Sequence, residues 1–485
     1  MKCQFMLFSL FIGFAIASCN QNKHKTNSLP NIIIIFTDDQ GYGDIGCFGA
    51  TGFQTPNLDK MAADGMRFTN FYSAQPVCSA SRAGLLTGCY PNRIGISGAL
   101  FPYDDVGISD DEVTLAEMLK DKGYATAIFG KWHLGHHEQF LPLQHGFDEY
   151  TGLPYSNDMW PIELDGSRSA SGKGRGDFPD LPLIEGNEPI EFIASYADQD
   201  KLTTLNTEKA IDFIRRNKSN PFFLYVPHSM PHIPLGVSDK FKGKSEQGMY
   251  GDVMMEIDWS VGQLIETLKE NGLEDNTIVI FNTDNGPWLN YGNHAGSSGG
   301  LREGKTTSWE GGQRVPCIVK WPGNVPSGVV CNQLASSIDF FPTLASIVGG
   351  DLPKHKIDGV NIIELWKGDF SAKPRKELYY FYGKNNLNGV RQGNWKLVFP
   401  HTYQSYEATV PGNDGHAGRR INIDVDSLEL YNLMRDPGER YNVVKMYPEI
   451  VEQLQKVGEQ ARADLGDLNT GVEGTGVREI GKLRK

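Results

Sequence analysis

The 485-residue sequence has no surplus of positive charge: 46 lysines and arginines stand against 59 aspartates and glutamates, a net charge of −13. That balance excludes a basic face for nucleic acid and long-range steering of a long polyanion, so an anionic substrate must be met by a local basic pocket. Long hydrophobic runs are also missing. The apolar stretch Phe5 to Ile16 is too short to span a bilayer and, behind Lys2, reads as the core of an export signal. No internal repeat is present. At 39% hydrophobic and 22% charged residues, the composition excludes disorder and supports one large core with a smaller one beside it.

Cysteine is scarce. Cys3 falls within the export signal, and Ile16-Ala17-Ser18-Cys19 resembles a bacterial lipoprotein box, in which Cys19 receives lipid and becomes the first mature residue. The alternative is an ordinary signal peptide that contains Cys19. The lipoprotein reading implies an exported bacterial protein, periplasmic or at the outer membrane or cell surface. It would touch membrane only through its anchor, with Asn20 to Ser28 as tether. Five cysteines then remain, Cys47, Cys78, Cys89, Cys317 and Cys331, and an odd number in an exported chain asks for a chemical role. Disulfides among Cys47, Cys89, Cys317 and Cys331 stay open.

Apolar, β-rich runs occur at 31–37, 125–129, 222–226, 277–282 and 315–320, with helical patterns between several of them, which predicts an α/β fold. Thr114 and Glu117 have the spacing of a capping box, and Gly123 closes that helix. From Asn157 to Ala197 the chain is rich in Gly, Ser, Pro and acidic residues without a sustained period, and reads as a long functional loop. Beyond Pro374, short alternating runs and a final helical pattern at 448–463 predict a small antiparallel sheet with a closing helix. The tail from Gly466 is expected to fray. The expected divisions are a signal (1–18), a tether (19–29), a catalytic domain (30–373), a C-terminal subdomain (374–470) and a tail (471–485).

Several chemistry-bearing clusters follow predicted strands. Asp38 and Asp39 end the first one, where ligands bind in α/β sheets, and adjacent carboxylates are costly unless a cation joins them. Asp284 and Asn285 stand at an equivalent strand end. Four oxygen donors without His or Cys favour Ca²⁺ or Mg²⁺ over zinc, and Ca²⁺ needs no strict octahedron. Lys131 and His133 follow the strand at 125–129, and His228 and His232 follow that at 222–226. Arg82, four residues after Cys78, faces it from one helical turn and is suited to holding an anion. Lys305 lies in a glycine-rich approach to Trp309.

Cys78-Ser79-Ala80-Ser81-Arg82 followed by Leu86-Thr87-Gly88 resembles the signature of the type I sulfatases, within the alkaline phosphatase superfamily. The motifs Gly130 to Gly135, the His232-Ile233-Pro234 ending and Arg302 to Lys305 appear in that family's order. The resemblance extends through Leu428 to Tyr431 and Asp436 to Glu439. Gly146-Phe147-Asp148 and Leu153 to Ser156 are most similar to the arylsulfatase A and galactosamine-6-sulfatase branch. One departure is Cys89, where arginine commonly follows Leu-Thr-Gly.

The resemblance implies an alkaline-phosphatase-like sandwich: a large mixed central sheet flanked by helices, plus a smaller C-terminal subdomain. It implies that a maturing, formylglycine-generating enzyme oxidises Cys78 to formylglycine. It further implies that Asp38, Asp39, Asp284 and Asn285 bind one Ca²⁺, and that Lys131, His232 and Lys305 contact the sulfate. His133 would then be the base that releases it. His228 and His401 are candidate sugar contacts, and 157–197 and 400–420 candidate pocket walls. The substrate class implied is a sulfated saccharide of galactose or N-acetylgalactosamine type. Two rivals remain: a phosphatase or phosphonate monoester hydrolase of the same superfamily, and a non-catalytic, lipid-anchored glycan-binding protein.

Overall fold

The structure is a computed structural model that describes residues 29–407 and 409–484. The signal, the Cys19 lipidation and most of the tether lie outside the described residues. The chain builds a ten-stranded sheet. Its strand order is Val329–Cys331, Met66–Phe68, Cys317–Lys320, Thr277–Thr283, Asn31–Thr37, Phe222–Pro227, Ala125–Phe129, Glu149–Gly152, Leu181–Glu185 and Glu188–Ile193. The middle is parallel, because Asn31–Thr37 runs alongside Thr277–Thr283 and Phe222–Pro227, and Phe222–Pro227 alongside Ala125–Phe129.

Burial on both faces explains why these strands read as unbroken apolar runs. Ile32, Ile34 and Phe36 enter one core with the helices Cys78–Thr87, Leu115–Asp121 and Phe340–Val348. Ile33 and Ile35 enter the other, with Pro56–Asp64, Leu202–Arg216 and Gly248–Glu270. The capping box is present: Thr114 Oγ1 accepts from Glu117 N at 3.1 Å and Glu117 Oε2 from Thr114 N at 2.6 Å. A four-stranded antiparallel sheet, Glu377–Tyr382, Asn386–Gln392, Trp395–Val398 and Glu429–Asn432, carries the helix Pro448–Leu465 on a third core. This is the mixed sheet with a smaller C-terminal unit that the sequence implied. Among the described residues no helix is long and apolar enough to cross a membrane.

Three expectations change. The long loop at 157–197 contains a hairpin, Leu181–Glu185 with Glu188–Ile193, that extends the main sheet. Pro182 and Pro189 masked it, as proline is tolerated on such outer strands. The tail does not fray: Gly481 and Lys482 pair with Gly107 and Val106, and Arg478 Nε and Nη2 meet Glu112 Oε1 and Oε2 at 2.6 and 2.8 Å. Arg478 Nη2 also lies 3.4 Å from Cys89 Sγ. The open question of disulfides resolves to none among the described residues, where Cys47, Cys78, Cys89, Cys317 and Cys331 are all free.

Candidate active site

Four neighbouring parallel strands end on one edge of the sheet, and each delivers its functional residues immediately afterwards. Asp38 and Asp39 follow Asn31–Thr37, Asp284 and Asn285 follow Thr277–Thr283, Lys131 and His133 follow Ala125–Phe129, and His232 follows Phe222–Pro227. Cys78 opens the helix Cys78–Thr87, whose N-terminal end meets that edge. The turn after Ala125–Phe129 requires glycine: Gly130 has φ +136°, and a Cβ there would lie 2.0 Å from Pro227 O. Asp39 and His133 also hold positive φ, 64° and 63°. Such strained residues persist where surrounding structure fixes them, and they cluster at functional sites.

All of these side chains are buried. Asp38, Asp39, Cys78 and His232 each place a donor atom within 4.8 Å of the others. Lys131 Nζ pairs with Asp38 Oδ2 and reaches Ser156 Oγ at 3.0 Å. Lys305 Nζ contacts Asp39 Oδ1 and Oδ2 at 2.8 and 2.9 Å, and His232 Nε2 lies 3.5 Å from Asp39 Oδ2. Asn285 Nδ2 donates to Asp39 Oδ1 at 2.8 Å, and Asp39 N to Asp284 Oδ1 at 3.1 Å. The structure therefore gathers Asp38, Asp39, Cys78, Arg82, Lys131, His133, His232, Asp284, Asn285 and Lys305 at one place.

Arg82 is also tied to the carboxylates. Its Nη2 faces Asp284 Oδ2 at 3.1 Å and Asp38 Oδ2 at 3.4 Å, and Nη1 donates to Lys131 O at 2.8 Å. Both Nη atoms thus brace the carboxylates and the Lys131 backbone, while Nε, buried, has no hydrogen-bond partner. Two further corrections concern the sugar contacts. His228 is fully buried with Nε2 at 3.2 Å from Ser260 Oγ on the helix Gly248–Glu270. His401 Nδ1 donates to Phe399 O at 2.7 Å, with its ring packed beside those of Trp309 and Tyr403. Both are packing histidines.

The donor set fits a hard cation. Asp38 Oδ1 and Asn285 Oδ1 are buried yet have no hydrogen-bond partner, a costly state unless a cation takes them. The carboxylates of Asp38, Asp39 and Asp284 stand against Arg82, Lys131 and Lys305, and a divalent ion among them would add to the positive charge that an anion meets.

Burial, together with the flanking Asp38 and Asp39, drives Asp284 well above the carboxylate range. Asp38 is held below that range because Lys131, His232 and Arg82 outweigh its desolvation. Desolvation pushes the Cys78 thiol up to about 12, so an unmodified Cys78 is a protonated thiol at neutral pH and a poor nucleophile. Desolvation and Lys131 keep His133 neutral. Its Nε2 is paired with Leu100 O at 2.8 Å, which must be an N–H donation, and its Nδ1 is free of partners. Nδ1 is therefore the basic nitrogen.

Sequence reasoning missed Ser156, Leu100 and Trp288. Ser156 carries no signal beyond the Leu153 to Ser156 motif, Leu100 acts through its carbonyl and leaves no side-chain signature, and Trp288 lies 4.3 Å from Lys305 Nζ.

Comparison with known proteins agrees with this geometry. The family model described as Sulfatase matches residues 30–350, and that of the C-terminal region of aryl-sulfatase matches 373–475. The chain is 38% identical to N-acetylgalactosamine-6-sulfatase of Sus scrofa, over 88% of this chain and 84% of that protein. It is also 38% identical to arylsulfatase A of Bos taurus, over 89% and 86%. The crystal structure of the PsFucS1 sulfatase from Pseudoalteromonas sp. superposes with a TM-score of 0.81 at 29% identity, covering 90% of this chain and 91% of that one. The chain belongs to the sulfatase family and is a sulfuric ester hydrolase.

Proposed function

We propose that the protein desulfates saccharides of galactose or N-acetylgalactosamine type, with residue 78 present as formylglycine and Ca²⁺ held by Asp38, Asp39, Asp284 and Asn285. The observation that carries this reading is the placement of Cys78, a thiol too weakly acidic to act as it stands, at the focus of a buried set of anion-binding cations. Ca²⁺ would act as a Lewis acid and orienter for the sulfate oxygens. Formylglycine, once hydrated, supplies a hydroxyl nucleophile that a thiol cannot.

The chain's own residues do the rest. Lys131 Nζ and Lys305 Nζ bind sulfate oxygens, and Asp39 keeps Lys305 charged, well above the ordinary lysine value despite its burial. Ile233 O accepts from His232 Nδ1 at 2.5 Å, which leaves Nε2, 3.5 Å from Asp39 Oδ2, as the unprotonated nitrogen of a ring that burial and Lys305 hold below the usual imidazole range. The Lys305 ammonium therefore delivers the proton to the leaving oxygen, and His232 positions it. His133 Nδ1 takes the proton from the second hydroxyl of residue 78 when sulfate departs. A sulfatase-maturing enzyme is the implied partner, and export with lipid attachment at Cys19 belongs to the same proposal.

The saccharide assignment draws on the relatives, two of which are named N-acetylgalactosamine-6-sulfatase and arylsulfatase A. The test compares sulfate release from 6-sulfated N-acetylgalactosamine and galactose with phosphate release from the matching phosphate esters, using protein coexpressed with a maturing enzyme. Sulfate release with kcat/KM at least about 100-fold above the phosphate esters is expected. Preference for phosphate would establish the phosphatase alternative, and binding without turnover the glycan-binding one.

A further inference from the structure

Around the catalytic cluster the chain builds a mouth from three separate segments. One is the loop after Glu149–Gly152, which carries Ser156, Asp158 and, further on, Arg175. The second is the turn that carries Trp288 and Tyr291, and the third is the C-terminal loop that carries Tyr406 and Arg420. These are joined. Asn290 O accepts from Gly412 N at 2.8 Å and Gly418 N at 2.6 Å, which fixes the C-terminal loop on the turn. At Gly415 the same loop meets the segment 157–197, an insertion between Glu149–Gly152 and Leu202–Arg216, since a Cβ there would come within 3.0 Å of Leu164 Cδ2 and 3.6 Å of His294 Nδ1.

Aromatic rings line the floor of this mouth. Trp288 lies 4.3 Å from Lys305 Nζ and 5.5 Å from the His232 ring, and Tyr291 packs on Trp288 at 4.9 Å. Such faces suit the apolar side of a sugar ring.

Two arginines stand over that floor. Arg175 Nη1 donates to Asp158 O at 2.6 Å, and the Asp158 carboxyl bonds Ser156, the hydroxyl on Lys131 Nζ. Arg420 bonds the Tyr406 hydroxyl, which donates to Lys305 O at 2.7 Å. Arg175 is thus two residues removed from Lys131, through Asp158 and Ser156, and Arg420 one residue removed from Lys305, and the Tyr291 hydroxyl feels both charges. Among the described residues neither side chain makes an ion pair, and the Glu163 carboxylate beside Arg175 is engaged by the Arg175 backbone N–H at 3.3 Å and by the Ser169 hydroxyl. In a chain of net charge −13, two unpaired arginines at one opening are a charge arrangement that awaits an anion. Asp414, the carboxylate on the same loop as Arg420, is engaged by Asn293 and Asn413 at 2.8 and 2.7 Å.

We propose that Arg175 and Arg420 form a second anion subsite at the cleft mouth, which takes saccharides with a further acidic group, sulfate or carboxylate, on the sugar next to the one that is desulfated. The proposal rests on the sulfatase reading above. It narrows the substrate class to multiply acidic glycans and makes the insertion and the C-terminal loop joint determinants of it.

The test uses the matured full-length protein and three sulfated disaccharides, in which the second sugar is neutral, sulfated or a uronate. The wild type is expected to favour at least one acidic partner about tenfold in kcat/KM, and to lose that preference as salt rises, because the contacts are partly exposed. Which of the two is favoured identifies the anion. R175Q and R420Q should each reduce the preference about threefold, and the double variant should bring it close to one. R175K with R420K should retain part of it, which separates loss of charge from disruption of the loops. Equal kcat/KM for all three substrates, or a preference that survives R175Q with R420Q, would overturn the subsite and leave the sulfatase reading intact. Failure to desulfate any of the three would overturn both.

Discussion

Two buried clusters of opposite charges lie in this molecule, one at the strand ends and one where the C-terminal sheet meets the main body. In the second, Glu310 Oε2 accepts from Tyr72 Oη at 2.5 Å and Oε1 from Tyr380 Oη at 3.0 Å. Lys396 Nζ lies 2.7 Å from Glu439 Oε1 and 3.5 Å from Glu310 Oε1, and Glu439 Oε2 accepts from Glu310 N at 2.8 Å. Both Glu310 oxygens are therefore taken by protein donors. At the strand ends, Asp38 Oδ1 and Asn285 Oδ1 have none, and Asp39 and His133 hold left-handed backbone. Burial and charge are common to the two clusters. A left-handed residue and an unbonded carboxylate oxygen are common to them as well, since Glu439 has φ 53° and its Oε1 accepts no hydrogen bond. Glu439 Oε1, however, faces Lys396 Nζ at 2.7 Å, whereas at the strand ends Asp38, Asp39, Cys78 and His232 bring ligand atoms within 4.8 Å of one another. That convergence marks the cluster prepared for a ligand.

The largest break in this comparison comes from Asp284→Asn. Loss of a ligand that helps neutralise sulfate should reduce kcat/KM by at least about 1,000-fold, several kcal/mol of transition-state stabilisation. Calcium binding by calorimetry should fall with it. Because the buried Asp284 carboxylate is disfavoured beside Asp38 and Asp39, the metal-free variant should melt no lower than metal-free wild type. A sharp drop in its melting temperature would show the cluster to be structural.

Lys396→Met should do the reverse. It leaves Glu310 and Glu439 buried without their lysine, and a loss of about 3–5 kcal/mol in denaturant unfolding is expected, with kcat/KM unchanged in the folded fraction. Lost turnover at unchanged stability would erase the distinction between the clusters.

The smallest effect concerns a buried carboxylate that has donors but no cation. Asp258 accepts from Leu58 N at 2.8 Å and from Asn57 N and Nδ2 at 3.2 and 2.7 Å, and burial raises it from 3.8 to about 6. Because the folded value is the higher one, its contribution is full below the unfolded value and is lost as pH rises through the folded value. Wild type should lose about 1 kcal/mol more than Asp258→Asn between pH 5 and pH 7 in urea unfolding. Equal losses would show the carboxylate to be unperturbed.

The same physical divide decides what the sequence revealed. Asn31–Thr37 was legible because burial on both faces imposes an unbroken apolar run, and Asp38 and Asp39 were legible because a strand end is where carboxylates have a use. The Thr114 cap was legible because its partner is three residues away. Features built by distant partners were not. Arg478 reaches Glu112 and Cys89 from the far end of the chain, and nothing local marks the tail as ordered. The hairpin at 181–193 was hidden by its prolines and exposed side chains. His228 and His401 show the converse error, since a histidine beside a motif was read as a contact when Ser260 and Phe399 O had claimed it.

The most direct test of the account is the mass of the peptide that contains residue 78, from protein coexpressed with a sulfatase-maturing enzyme, alongside sulfate release by wild type and Cys78→Ala. The account predicts a mass lower by about 18 Da, as conversion of thiol to aldehyde requires, and release that falls to background in the variant. An unmodified cysteine in protein that still releases sulfate, or release that persists in Cys78→Ala, would contradict it.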